Sequence, residues 1–96
     1  LGVGTTGFIV VLTIASIVER EDGSLLVAGT MAADVLAERL GIDLPEDRDY
    51  ATVAGLVLAA LRHLPTEGES FVEQGWRFEV VDLDGRRIDK LLLSPV

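Results

Sequence analysis

Gly75-Trp76-Arg77-Phe78-Glu79-Val80-Val81-Asp82-Leu83-Asp84-Gly85-Arg86-Arg87-Ile88 decides the fold. Trp76, Phe78 and Val80 alternate with Arg77 and Glu79, the two-residue period of a strand with one buried face and one wet face. Asp84-Gly85 then makes a turn, because glycine enters positive φ without strain. Arg87-Ile88-Asp89-Lys90-Leu91-Leu92-Leu93 returns as a second strand, and Phe71-Val72-Glu73-Gln74 precedes both as a first. Ile88 and Leu91 stand three apart, which breaks strict alternation and predicts a β-bulge. The C-terminal third therefore reads as a three-stranded meander.

Working towards the N-terminus, the period lengthens to that of a helix. Val53, Leu56, Val57, Ala60, Leu61 and Leu64 follow helical spacing, with Thr52 as N-cap and a stop near His63, before Pro65. Ala54, Leu58 and Ala59 make the other flank apolar too, so this helix is expected to be buried against the sheet. Gly55 within it costs about 1 kcal/mol relative to alanine, with close approach to a strand as the expected compensation. An earlier helix is expected from Thr30, as N-cap, through Leu40, with Gly41 at C′. Its apolar side reads as Met31, Val35, Leu36 and Leu40, with Asp34, Glu38 and Arg39 facing water. Between the helices lies a loop holding Pro45 and the acidic Glu46, Asp47 and Asp49.

Further upstream, Ser24-Leu25-Leu26-Val27-Ala28 reads as a strand that Gly29 ends, and Glu21-Asp22-Gly23 as the hairpin turn before it. The apolar run from Phe8 to Val18 is β-branched and reads as a buried strand ending near Ile17-Val18-Glu19. The order is hairpin, two helices, meander. This is an α+β fold: an antiparallel sheet with two helices packed on one face. Residues 16–96 are taken as the domain and residues 1–15 as an apolar leader, for part of which a non-native origin is one explanation.

Composition narrows the function classes. The 96 residues fit one domain. A net charge of −8 opposes contact with phosphate backbones or anionic lipid, so no nucleic-acid partner is expected. The chain has no Cys, which removes thiolate nucleophiles and zinc-finger sites together. The apolar run falls short of the roughly 20 residues a membrane-spanning helix needs, so this domain is not expected to insert. The mean hydropathy of +0.42 is high for so short a chain and points to apolar surface meant for a partner, with the many Ala, Val and Leu of a tight core as the other source.

No residues are laid out for catalysis. Gly2-Val3-Gly4-Thr5-Thr6-Gly7 matches a dinucleotide loop by letter, yet no strand feeds it and no helix follows. Asp82-Leu83-Asp84-Gly85 echoes a calcium loop, but in register Val80 and Leu91 would be ligands. Glu46, Asp47 and Asp49 read as a solvated loop rather than a metal site. His63 is expected in the last helical turn, capping a carbonyl. Ser16, Ser24, Ser70 and Ser94 sit in no nucleophile elbow. Trp76 is read as core, with a partner anchor as the alternative. Arg86 and Arg87 are expected to balance nearby carboxylates, with contact to an anionic ligand or an acidic partner surface as the alternative. These three are the candidate contact residues; no catalytic, metal or cofactor residue is assigned.

Five blocks in series resemble the transporter-associated domain at the C-terminus of CorC/HlyC-type proteins. They are Asp22-Gly23-Ser24-Leu25-Leu26-Val27-Ala28-Gly29, Leu40-Gly41-Ile42-Asp43-Leu44-Pro45 and Tyr50-Ala51-Thr52-Val53-Ala54-Gly55. Leu64-Pro65-Thr66-Glu67-Gly68-Glu69 and the strand and turn quoted at the outset complete the set. Ala28 stands where the family often has an acidic residue, and the approach to Ser16 is apolar where the family is usually acidic. The resemblance implies a fold akin to the flavin-binding domain of certain oxidases. It also implies a place on the cytoplasmic face of the membrane, behind a membrane domain and a CBS-domain pair, in hemolysin-like or magnesium and cobalt efflux proteins. From it follows the expectation of a non-catalytic, cofactor-free regulatory module that pairs with itself or with the CBS pair. A nucleotide- or flavin-like ligand in the groove between helices and sheet is the alternative.

Overall fold

The structure, a computed structural model, describes residues 17–96. The leader, the Gly2–Gly7 motif, Ser16 and most of the apolar run lie outside the described residues. Five strands and two helices follow in the expected order: β1 (Ile17–Glu19), β2 (Leu25–Ala28), α1 (Ala33–Leu40), α2 (Val53–Leu61), β3 (Ser70–Glu73), β4 (Trp76–Asp84) and β5 (Arg87–Pro95). They form one antiparallel sheet in the order β1-β2-β5-β4-β3. The N-terminal hairpin and the C-terminal meander thus meet at β5. Phe78, Val80, Leu91 and Leu93 from the meander, Val27 from β2, and Leu36, Val53 and Val57 from the helices are all fully buried. These side chains fill the space where helices and sheet face each other and form the protein's core.

The predicted bulge is present and is matched by a second. Val80 pairs with Leu91, Asp82 with Lys90 and Leu83 with Ile88, which leaves Val81 extra on β4 and Asp89 extra on β5. The extra Asp89 lets Ile88 and Leu91 face the core together, with 1% and 0% exposure. Gly29 packs against this irregularity. Its N–H donates to the Asp89 carbonyl at 2.8 Å, and its carbonyl accepts from Ala54 N–H at 2.9 Å. A Cβ on Gly29 would lie 2.0 Å from the Ile88 carbonyl oxygen. Close approach to a strand therefore belongs to Gly29. Gly55, to which the sequence assigned it, instead crowds the Cβ of Tyr50 in the preceding loop, 2.7 Å from a built Cβ.

Three local expectations are corrected. Helix α1 begins at Ala33 with Ala32 as N-cap, and Thr30 sits in the turn before it. The start is fixed from outside the helix: Ala32 bridges Thr52, and Ala33 N–H donates to the Ala51 carbonyl at 2.8 Å. Within α1, Ala33, Leu36 and Ala37 face inward, while Val35 is 53% exposed. Helix α2 ends at Leu61, where Arg62 takes a left-handed cap at φ 64°, and it is buried on one side only. Leu58, Ala59 and Ala60 face outward despite the helix carrying no charge. The described part of the first strand is an edge, so Val18 is 52% exposed rather than buried.

The Thr52 cap is as expected: its hydroxyl accepts from Gly55 N–H at 3.2 Å. Thr52→Ala should lower stability by about 1 kcal/mol, seen as a fall of several degrees in a thermal melt.

Candidate functional site

A cleft of about 480 Å³ opens beside α2. Its walls come from three places that the fold draws together: the loop after α1, the outward side of α2, and the turn between β3 and β4. Leu44, Pro45, Tyr50, Leu56, Ala59 and Ala60 supply an apolar floor. Asp43, Glu73 and Gln74 supply the rim.

Gln74 makes the cleft possible. The β3–β4 turn runs through Gln74 at φ 49° and Gly75 at φ 85°, a pair of left-handed residues that matches the twist of the flanking strands. From that position the Gln74 side chain accepts from Asp43 N–H at 2.9 Å and donates to the Asp43 carbonyl at 2.8 Å. One amide thereby satisfies both backbone groups of a residue 31 positions away. Trp76 ties the same two regions from beneath, its Nε1–H donating to the Leu40 carbonyl at 3.3 Å. The loop itself is held by Arg48, which donates to the Pro45 carbonyl at 2.8 Å and pairs with Asp34 on α1.

The candidate contact residues do not converge. Trp76 is half-buried against the core at the start of β4, whereas Arg86 and Arg87 lie at the hairpin tip at its far end. Arg87 pairs with Asp84 at 3.1 Å, the charge balance the sequence suggested. Arg86 is exposed and makes no ion pair among the described residues. Glu46, Asp47 and Asp49 are all exposed. Among the described residues, no three His, Asp or Glu side chains are placed to hold a metal. Asp82-Leu83-Asp84-Gly85 forms the end of β4 and its turn.

His63 lies just past α2 rather than in its last turn. Its Nδ1 is 2.9 Å from the Leu61 carbonyl, which it caps, and Nε2 meets the Glu69 carboxylate at 2.5 Å. The Glu69 carboxyl is held below its ordinary value, first by the Thr66 N–H and then by His63. Asp22 is lowered likewise, chiefly by the Ser24 hydroxyl and then by the Ser24 N–H. A carboxyl depressed in the folded state stabilises above its unfolded pKa and loses that effect as pH falls through its folded value. The domain should therefore lose stability as pH drops below about 4. Melts of the Asp22→Asn, Glu69→Gln double variant should show a smaller fall between neutral and acid pH than those of the parent.

Comparison with known proteins adds the context. The transporter associated domain profile, CorC_HlyC, matches residues 18–96. The chain belongs to this family. A solved transporter-associated domain from a Xylella fastidiosa hemolysin, described in complex with Mg++ and Mn++, is 46% identical with a TM-score of 0.76. The match covers 84% of this chain and 98% of that one. A UPF0053 protein of Synechocystis is 41% identical over 83% of this chain, and the polyamine export protein of Escherichia coli is 37% identical over 83%. In each case the match spans 18% of the relative's length. This transporter-associated domain is thus related to a small part of much longer proteins. Its family is not a known enzyme class. Among the described residues no helix is long and apolar enough to cross a membrane.

Proposed function

We propose that this domain is a non-catalytic regulatory and assembly module of a membrane export protein of the UPF0053 or polyamine-export type, working on the cytoplasmic face. The observation that carries the reading is the family match over residues 18–96, within relatives about five times longer. The surface of α2 supports it. An uncharged helix that leaves Leu58 39% exposed, with Leu64 beyond it at 46%, has apolar area suited to a protein partner. The partner is the same domain of a second subunit or a CBS-domain pair of the parent protein. The cargo is a cation, with polyamines favoured by the named relatives and magnesium or cobalt as the family alternative.

Light scattering of the domain, alone and with a CBS pair, tests the contact. Leu58→Asp should abolish whichever association the parent shows. A strict monomer at high concentration that also ignores the CBS pair would overturn the proposal.

A further inference from the structure

The rim of the cleft holds two carboxylates with no cation assigned to them. Gln74 engages only the backbone of Asp43, so the Asp43 carboxylate has no hydrogen-bond or ion-pair partner among the described residues. The Glu73 carboxylate, at the end of β3, has none either. Arg48, the one cation in the stretch from 42 to 51, is already engaged by Pro45 and Asp34. Glu46, Asp47 and Asp49 in the same stretch add to the negative field.

This combination selects among small ligands. A phosphate-bearing ligand meets carboxylates at the rim and is repelled. A bare divalent cation needs several oxygens converging within about 2–2.6 Å, and most of the lining is hydrocarbon instead. A flexible alkyl chain with ammonium groups meets both demands. Its methylenes cover Leu44, Pro45, Leu56 and Ala59, while its charged ends reach the carboxylates and the Tyr50 ring offers a π face. The volume lies within the usual range for small-molecule sites, about 300–1,000 Å³.

We infer that this cleft binds a linear aliphatic amine carrying two or more ammonium groups. A role in sensing exported cargo rests on the function proposed above; the binding itself does not.

The test uses this chain, since the Xylella fastidiosa domain it matches spans little more than the same segment. Spermidine and putrescine are titrated calorimetrically at low salt, with MgCl₂ and with NaCl at matched ionic strength as controls. Saturable binding of spermidine at one site is expected, stronger than that of MgCl₂. The D43N/E73Q variant should bind spermidine about tenfold more weakly at an unchanged melting temperature. The E46Q/D47N variant, equal in charge but away from the rim, should stay within about twofold. Three results would each overturn the inference: no saturable heat into the millimolar range, binding of MgCl₂ no weaker than that of spermidine, or equal loss in both double variants. Any of them leaves the assembly reading standing, because light scattering reads association of the domain and not amine binding.

Discussion

Gly29→Ala is expected to cost about 3 kcal/mol or more and to lower the melting temperature by about 12–24 °C. The added methyl would sit 2.0 Å from the Ile88 carbonyl oxygen and 3.0 Å from its carbon. That carbonyl belongs to β5, the middle strand, beside the Asp89 bulge, and cannot move without disturbing pairing on both sides. Retreat of residue 29 instead would break its bonds to Asp89 and Ala54, which link sheet and helix. A variant melting within a few degrees of the parent would show that the bulge can yield. Gly55→Ala is expected to cost less, because its obstacle is Tyr50 in a loop and alanine regains about 1 kcal/mol of helix propensity.

Phe78→Ala ranks beside it, at about 3–5 kcal/mol. Phe78 is fully buried in β4 and stacks on Phe71 of β3, with ring centroids 5.0 Å apart and planes 9° from parallel. Truncation empties the core beneath the helices and unstacks the only aromatic that β3 contributes. Small domains hold about 5–15 kcal/mol in all, so this one change removes a large share. Chemical denaturation should show a lower midpoint with an unchanged slope.

What was legible in the sequence followed from local chemistry. Asp22-Gly23, Thr52, Gly41 and Asp84-Gly85 each act within a few residues, and each punctuates the chain as read. Ile88 and Leu91 gave away the bulge because side-chain spacing records it directly. The errors came where distant residues decide. Thr30 is a sound cap in isolation, but the Ala32–Thr52 bridge starts α1 two residues later. Val35 was grouped with Met31, Leu36 and Leu40 on the apolar side, whereas the inward face of α1 uses Ala33, Leu36 and Ala37. Apolar composition on every side of α2 did not mean burial on every side, since among the described residues only one face is covered. The cleft could not be read in advance. Asp43, Tyr50, Glu73 and Gln74 share no motif, and they become neighbours through long-range contacts such as those of Gln74 with Asp43 and of Trp76 with Leu40.

The sheet order carries a consequence for synthesis. The strand made last lies at the middle, with the earliest hairpin on one side and the meander on the other. A ribosome delivering this segment therefore exposes β1 and β2 with their principal neighbour still unmade. Assembly waits for β5 and then proceeds through non-local pairing, which is slow, on the order of milliseconds to seconds. A nonsense codon between Asp84 and Arg87 would leave two unmatched half-sheets rather than a shortened domain.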